Sequence, residues 1–250
     1  MQRHRFYAPP AQFDQSTVTL DPDESHHLAR VLRLGEGAHV FVFDGQGDEW
    51  ECEVARMSKS AVALKLLRQL EDAVESPLKL TLAQALIKGD KFDWLVQKAT
   101  ELGVTRIVPL LTDHSNPGGN SHRPGDRAGH RLERWQRIAI EAVKQCGRRT
   151  LVEIAEPIDY ESFCENAAGM NNLIFSERGG QNLREVAAKL GCISGLRLLV
   201  APEGGWSEGE LQLGEKTGFI PVHLGSRILR AETAGIAAVI LSQHLFGDIG

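Results

Sequence analysis

The sequence predicts an α/β protein in which a mostly parallel sheet carries helices on both faces and a small β-barrel domain precedes it. Beyond about residue 78, short apolar runs alternate with amphipathic helical segments, which is typical of parallel βα units. Before about residue 70, short strands with alternating apolar positions are joined at an Asp-Gly turn. A polar segment, Glu71–Pro77, lies between the two patterns. We therefore expect a barrel domain over 1–72 and a sheet domain over 73–250.

Composition limits the class of protein. The chain has 250 residues, of which 42% are hydrophobic, enough for a sizeable core, and its formal net charge is −5. No apolar run reaches the roughly 18–20 residues that a membrane span needs, and no apolar signal core follows the first residues. The four cysteines are scattered without a Cys-x-x-Cys pair. We expect reduced thiols in a cytoplasmic protein.

The elements of the first domain follow from its turns. A short helix is predicted over Glu24–Arg33, ended by Gly35. The Asp44-Gly45-Gln46-Gly47 segment predicts a tight turn between strands. The predicted strands are His39–Phe43, Trp50–Met57 and Ser60–Leu67.

The second domain alternates strands and helices. Asp90 is placed to cap a helix that stops at Gly103. Thr112–Gly125 is a long polar loop, a type that is often functional. The predicted strands are Leu78–Ile87, Arg106–Leu111, Leu151–Ala155, Asn172–Phe175, Leu196–Val200 and Phe219–Leu224. After the basic helix described next, the predicted helices are Tyr160–Ala168, Asn182–Leu190, Glu208–Thr217 and Arg230–Phe246.

A basic helix stands out within this acidic chain. From Ser121 to Arg149 there are eight Lys or Arg residues against three acids. Arg127, Arg131 and Arg134 recur at helical spacing on one face. Such a face is usually only solvated, but beside a nucleotide-like pocket it also predicts contact with an RNA backbone.

Two glycine-rich stretches near the end of the chain predict a ligand pocket. Each follows an apolar strand and leads into a helix: Leu199–Glu210 and Val222–Ala234. Ser207 and Glu210 fit a capping box. Arg227 and Arg230 lie just before or within the first turn of the last helix, where a cation opposes the helix dipole. Residues that break a local rule are often functional; the alternative is that they pair with Glu203 or Glu232 and only brace the turn.

Ordered motifs along nearly the whole chain resemble the family of ribosomal RNA small subunit methyltransferase E, in the SPOUT class of knotted methyltransferases. The segments that carry this resemblance are His26–Arg33, Phe43–Gly45, Lys88–Lys91, Lys98–Val104, Trp135–Ala139, Glu141-Ala142, Gln145–Arg148, Pro202–Gly205 and Gly225–Ala234. Four departures stand beside it. The family usually has Gly at Ala201, Pro at Ser226 and Thr at Ala231, and a Glu-Arg-Ser-like segment at Asp113–Ser115.

The resemblance implies a PUA-like RNA-binding barrel, a C-terminal trefoil knot and a homodimer. It also implies S-adenosylmethionine as cofactor, 16S rRNA of the 30S subunit as substrate, and methyl transfer to N3 of one uridine. The implied cofactor-binding residues are Phe175, Ser176, Glu177, Ala201, Pro202, Glu203, Gly204, Gly205, Leu224, Gly225, Ser226, Ile228, Leu229 and Thr233. The residues expected to contact RNA are Arg30, Arg33, Arg127, Arg131, Arg134, Gln145 and Arg148.

The expected catalytic residues are Arg230, Arg227 and Glu203. Uracil N3 carries a proton and is a poor nucleophile until the proton leaves, so an arginine is expected to stabilise negative charge on O2 or O4. Glu203 either accepts the proton, binds the cofactor's amino group or only shapes its turn. N3 lies on the Watson–Crick edge, so the base must be unpaired or flipped out.

Other classes of function are less well supported. The sequence has no Gly-x-Gly-x-x-Gly after a strand, no phosphate-binding P-loop, no Gly-x-Ser-x-Gly elbow and no zinc-ligand spacing. No metal site is therefore expected. The alternatives that remain are a SPOUT methyltransferase with another RNA target, such as a ribose 2′-hydroxyl, and a non-catalytic RNA-binding or ribosome-assembly protein. An unrelated nucleotide-binding α/β enzyme is disfavoured.

Overall fold

The computed structural model describes residues 3–58, 61–71, 75–115, 126–167 and 169–250, with the side chains of 126–128 outside the description. The chain forms two compact units. The N-terminal unit comprises Met1–Glu75 together with Ile140–Leu151, and the C-terminal unit comprises Ser76–Ala139 and Val152–Gly250. The single boundary predicted at residue 72 leaves out Ile140–Leu151, which packs with the first unit.

The N-terminal unit is a five-stranded sheet in its described part. Its strands are β1 (Arg5–Tyr7), β2 (Thr17–Thr19), β3 (His39–Phe43), β4 (Glu49–Met57) and β5 (Val62–Gln69), in the order β1-β3-β4-β5-β2. β1 pairs in parallel with β3, and the other pairs are antiparallel. Alternate side chains of these strands, including Val40, Val42, Val54, Val62 and Leu64, form its core. The predicted strands are thus confirmed within one or two residues.

The turn between β3 and β4 forms where the Asp-Gly motif predicts it. One carboxylate oxygen of Asp44 accepts hydrogen bonds from the amides of Gln46, Gly47 and Asp48 at 2.8, 3.1 and 3.0 Å. Gly45 has φ of 80°, a left-handed conformation that favours glycine. A side-chain oxygen thereby satisfies three backbone donors that the turn leaves free.

The predicted helix over Glu24–Arg33 begins earlier and is split. Helix α1 (Pro22–His26) starts after Asp21, whose carboxylate accepts from the amide of Glu24 at 2.8 Å. The next turn, His27–Val31, has wider π-helical hydrogen bonding. The chain then leaves the helix at Arg33, which has φ of 55°.

The C-terminal unit contains a parallel sheet. Its described strands are β6 (Lys79–Ala85), β7 (Arg106–Leu111), β8 (Glu153–Ile154), β9 (Ile158–Asp159), β10 (Asn172–Phe175), β11 (Gln181–Asn182), β12 (Gly195–Val200) and β13 (Ile220–His223). The order is β11-β13-β10-β12-β6-β7-β8, and β9 also pairs with β7. Every pairing recorded for these described strands is parallel, which confirms the predicted parallel sheet.

Helices cover both faces of this sheet. They are α2 (Lys91–Glu101), α3 (Asp126–Cys146), α4 (Tyr160–Glu165), α5 (Leu183–Leu190), α6 (Glu208–Lys216) and α7 (Ala231–Phe246). Leu198 and Val200 of β12 pack in one apolar cluster with residues of α2, α5 and α7. Leu199, between them, packs in a second cluster with residues of α4 and with Trp206. Successive strand residues point to opposite faces, so one strand supports both layers.

Two of the predicted helix starts can be checked by their caps. Ser207 Oγ accepts from the amide of Glu210 at 3.2 Å, and Glu210 Oε2 accepts from the amide of Ser207 at 2.8 Å, so the predicted capping box is confirmed. Asp90 does precede α2, but its side chain makes no capping hydrogen bond. That predicted cap is wrong, because the Asp90 carboxylate accepts from Arg134 instead, at 3.4 Å.

The loop predicted over Thr112–Gly125 is described as far as Ser115. The amide of Thr112 donates to Ser115 Oγ at 2.8 Å, and the amide of Ser115 donates to Thr112 Oγ1 at 3.1 Å. These two bonds close a compact turn after β7. Residues 116–125 lie outside the described residues, as do residues 72–74 of the predicted linker Glu71–Pro77. In the part of the chain that is described, no helix has the length and apolarity needed to cross a membrane.

Candidate functional site: a glycine-lined cavity at the strand ends

Three neighbouring strands end at one cavity. β13, β10 and β12 are adjacent in the sheet, and the loops after them surround a cavity of about 560 Å³. The sequence-predicted residues that line it are Phe175, Ser176, Glu177, Ala201, Pro202, Glu203, Gly204, Gly205, Leu224, Gly225, Arg227, Ile228, Leu229 and Arg230. Ser226 and Thr233, also predicted for the site, are not among the lining residues. The carboxyl ends of parallel strands share one edge, and this brings loops that are distant in sequence together.

Four further residues line the cavity without having been predicted: Lys91, Val200, Ala231 and Ala234. The three apolar ones extend the predicted loops by a residue or two. Lys91 is different, because it is the first residue of α2, the helix that follows β6, and β6 is the next strand along the sheet. Lys91 belongs to the Lys88–Lys91 motif, which carries the family resemblance but has no role that the sequence alone indicates.

Buried hydrogen bonds fix the loops around the cavity. The indole of Trp206 donates to the carbonyl of Phe175 at 2.8 Å, which joins the loop after β12 to the end of β10. The buried amide of Gln84 in β6 donates to the carbonyls of Val200 and Ala201 at 3.3 and 3.1 Å. These bonds hold the ends of two of the strands at which the cavity opens.

The Gly204-Gly205 pair permits close packing on both sides. A Cβ on Gly205, which has φ of +72°, would lie 2.6 Å from Glu177 Oε1. A Cβ on Gly204 would lie 2.8 Å from the Cβ of His114. The Nδ1 of His114 donates to the carbonyl of Gly205 at 3.1 Å, which assigns the proton to that nitrogen. The family departure at Asp113–Ser115 thus lies directly against the cavity loop.

One lysine engages two carboxylates at the cavity. Lys91 Nζ lies 3.5 Å from Glu203 Oε1 and 3.4 Å from Glu232 Oε2. Glu203 Oε1 also accepts from the amide of Lys88 at 3.2 Å. Burial works to raise the pKa of Glu203, but hydrogen bonds from backbone amides together with the Lys91 charge outweigh it and lower that pKa. Glu203 is therefore a carboxylate at neutral pH.

Both predicted catalytic arginines are exposed and face the cavity. Arg230 is the N-cap of α7, so Arg227 and Arg230 both lie before the helix rather than in its first turn. Within the described part of the chain, neither guanidinium forms an ion pair or a side-chain hydrogen bond. The alternative prediction, that these arginines pair with Glu203 or Glu232, is wrong, since both carboxylates form ion pairs with Lys91 instead. Beside them, Ile228 exposes 86% of its surface.

The residues predicted to contact RNA are in different environments. Arg30, Arg33 and Gln145 are exposed, and Arg131 is half-buried. The side chain of Arg127 lies outside the described residues. Arg134 forms ion pairs with Asp93 and Asp90.

Arg148 requires a correction. It is 3% exposed, and its guanidinium binds the Glu75 carboxylate at 2.9 Å, so the side chain is not available to RNA. Lys144 and Arg149, counted in the same basic stretch, are likewise buried and bind Glu24 and Glu49 at 2.8 and 3.0 Å. The positive charges at and just after the end of α3 therefore neutralise acids of the N-terminal unit, of which Glu24 and Glu49 are buried. Among the described residues, no cluster of His, Cys, Asp and Glu could hold a metal ion.

The fold and cavity define an α/β protein with a ligand site at the ends of parallel strands, and comparison with known families agrees with this. Residues 74–243 match the family model of the RNA methyltransferase domain, and residues 20–67 match that of the RNA methyltransferase PUA domain. The protein is thus an α/β RNA methyltransferase-domain protein with a PUA-like domain.

More narrowly, the chain belongs to the ribosomal RNA small subunit methyltransferase E family. It is 36% identical over 241 residues to a family member from Synechocystis. The matched region covers 94% of this chain and 76% of the relative. A family member from Neisseria gonorrhoeae, solved bound to S-adenosylmethionine, has 35% identity and a TM-score of 0.87 over the whole of both chains. A provisionally assigned methyltransferase from Legionella pneumophila, solved with the same cofactor, has 31% identity and a TM-score of 0.90, covering 99% of this chain and 100% of that one.

Proposed function

We propose that this protein is an S-adenosylmethionine-dependent methyltransferase that methylates N3 of one uridine in the 16S rRNA of the small ribosomal subunit. The observation that carries the proposal is the glycine-lined cavity at the ends of β10, β12 and β13. Arg227 and Arg230 line it and form no ion pair with any described residue. Family membership supports the cofactor and the rRNA substrate. The N3 position is inferred from the family resemblance of the motifs and from the chemistry below.

The cavity suits the proposed cofactor in its size and in the chemistry of its lining residues. Its volume of about 560 Å³ lies in the range of small-molecule sites. Gly204 and Gly205 line the cavity, and because they lack side chains their loop packs tightly against His114 and Glu177, which fixes the backbone that a ligand would meet. The exposed hydrocarbon of Ile228, with Leu224 and Leu229, offers an apolar wall for an adenine ring. The Glu177 and Glu203 carboxylates match the ammonium and ribose hydroxyl groups that the cofactor presents.

The chemistry asked of the protein is to hold an unpaired uracil and favour its anion. When bound, S-adenosylmethionine supplies a methyl group on a sulfonium, which is a strong electrophile. Arg230, with Arg227, is proposed to stabilise negative charge on O2 or O4 as the N3 proton passes to solvent water. A pKa held below the ordinary value makes Glu203 a weak base, so we assign it to the cofactor's amino group rather than to proton removal. Alignment of N3 with the methyl group provides much of the remaining acceleration.

The finer architecture is also proposed by resemblance. We infer that the C-terminal segment passes through a loop to form a trefoil knot, an arrangement that is very rare among proteins generally. We infer a PUA-like domain built on residues 1–72, to which Ile140–Leu151 adds, and a methyltransferase domain built on the rest of 73–250. We propose that the PUA-like domain, including Arg30 and Arg33, contacts RNA. A homodimer in the cytoplasm remains our expectation, and the exposed side chains of Trp94, Ile240 and Leu241 support an apolar contact between subunits.

The deciding experiment is methyl transfer from labelled S-adenosylmethionine to 30S subunits that lack this modification, followed by mass spectrometry of the nucleosides. A 3-methyluridine product would establish cofactor, substrate and position together. Methylation of a ribose or another base would retain the enzyme class but reject the proposed position. Cofactor binding without any transfer would instead favour the non-catalytic ribosome-assembly function.

A further inference from the structure

We propose that Lys91 is a positioning residue that keeps Arg227 and Arg230 available to the substrate by engaging the two carboxylates that would otherwise compete for them. The inference deepens the proposed function and rests on it, because it assigns Arg227 and Arg230 to the anionic groups of an RNA substrate. Lys91 itself is given no contact with cofactor or RNA.

The position of Lys91 is electrostatically unfavourable unless nearby negative charges compensate for it. It is the first residue of α2, where a cation opposes the helix dipole. The two carboxylates that its ammonium reaches come from the loop after β12 and from the first turn of α7. A lysine that breaks a local rule and yet joins three separate elements is best explained by what it does at the cavity.

The two carboxylates depend on Lys91 unequally. Glu203 also accepts a backbone hydrogen bond from Lys88, so it retains a partner if the lysine is removed. Glu232 Oε2 is buried and accepts no hydrogen bond from any described residue, and its ionic partner there is Lys91. An ionised carboxylate held away from water without a partner is costly, so Glu232 would seek another cation.

Among the described residues, the other cations that line the same cavity are Arg227 and Arg230. Arg230 lies two residues before Glu232 at the start of α7. Without Lys91, an ion pair between one of these arginines and Glu232 would satisfy the carboxylate. The paired guanidinium would then be withdrawn from an RNA phosphate or from a developing oxyanion on the base.

This arrangement predicts a specific pattern in a double-mutant cycle. The Lys91→Met variant keeps the length of the side chain but removes its charge. We expect it to lower the rate of methyl transfer by about tenfold or more and to weaken binding to unmodified 30S subunits in the absence of cofactor. Adding Glu232→Gln removes the competing carboxylate and should restore most of both losses, since Glu203 retains its backbone partner. Glu232→Gln alone completes the cycle, and Lys91→Arg should retain most of the activity.

The outcomes separate this inference from the proposed function. If the wild-type protein transfers no methyl group, the proposed function fails, while the binding measurements still test Lys91. If Lys91→Met matches wild type in both assays, or if Glu232→Gln gives no recovery, the inference is overturned and Lys91 either acts directly on a ligand or only supports the fold. Melting temperatures of all four variants identify unfolding, and Lys91→Gln replaces Lys91→Met should the latter not fold.

Discussion

At the residue scale, the most informative feature is the pair of arginines before α7. Sequence alone left two interpretations, functional cations or braces of a turn. The tertiary structure favours the first, because Lys91 lies within 3.5 Å of both candidate carboxylate partners and leaves the guanidinium groups free of the described residues. The competition was invisible in the sequence, since the lysine lies more than a hundred residues before Glu203.

Arg230→Ala should separate cofactor binding from chemistry. We expect affinity for S-adenosylmethionine to be largely kept and methyl transfer to fall by at least about tenfold, equivalent to roughly 1.4 kcal/mol of barrier. Calorimetric cofactor binding and single-turnover transfer measure the two effects. Arg184→Ala, an exposed arginine of α5 outside the cavity, is the matched control. Full activity of Arg230→Ala would remove Arg230 from the catalytic residues.

Gly205→Ala should damage the cavity through the backbone. A non-glycine residue at φ of +72° costs about 1–2 kcal/mol, and the new Cβ would lie 2.6 Å from Glu177 Oε1, forcing that carboxylate to move. We expect a lower melting temperature and weaker cofactor binding. Gly209→Ala is the control, because this helical glycine has its nearest neighbour at 3.9 Å and alanine is the better helix former. Equal behaviour of the two variants would contradict the argument.

At the scale of elements, the strand–loop–helix unit around β12 was well predicted because its signals are local. An apolar strand, a glycine turn and the Ser-x-x-Glu capping box occupy adjacent positions, and the structure forms each one. The helix α3 is predicted correctly as a helix, but the prediction that the basic stretch containing it contacts RNA fails at Arg148, which is buried. Lys144, Arg148 and Arg149 have the composition of an RNA-binding face, yet each is buried and paired with an acid that is distant in sequence.

Ser207→Ala tests the capping box. The substitution removes the acceptor for the Glu210 amide at the start of α6 and should lower the free energy of unfolding by about 1 kcal/mol. Chemical denaturation measures the loss. Ser162→Ala, at an exposed position of α4, serves as a control that removes a hydroxyl elsewhere. An unchanged midpoint for Ser207→Ala would mean that water caps this helix equally well.

At the scale of the whole molecule, the N-terminal unit is completed by a segment from much later in the chain. Ile140–Leu151 belongs to it, and Arg5 donates to the carbonyls of Val143, Lys144 and Arg148 at 2.8, 2.9 and 2.7 Å. Glu49 lies at the centre of this packing, 2.7 Å from Arg5 and 3.0 Å from Arg149. A buried carboxylate thus joins two buried guanidinium groups, a geometry in which removal of one partner is expensive.

Glu49→Gln should therefore be strongly destabilising, by about 3–5 kcal/mol, because it leaves two buried cations without their counter-charge. Hydrogen exchange should report the loss at β4 and at the amides of Ile140–Leu151 together. Glu51→Gln, two residues along the same strand, removes a carboxylate that pairs at the surface with His39 and Arg68, and should have a much smaller effect. Similar losses for the two variants would reject the buried network as a stabilising feature.

The sequence by itself determined the class of fold, most helix and strand positions, the glycine loops that meet at the cavity, and the family. Short segments of the sequence encode these features, through their periodicity, turn residues and motifs. The tertiary structure alone decided which charges face solvent and which are paired. Lys144 and Glu24, 120 residues apart, form a buried pair, and Lys91 joins Glu203 across 112 residues. The free energy of a charge depends on burial and on the neighbours that folding brings to it, and no local pattern contains that information.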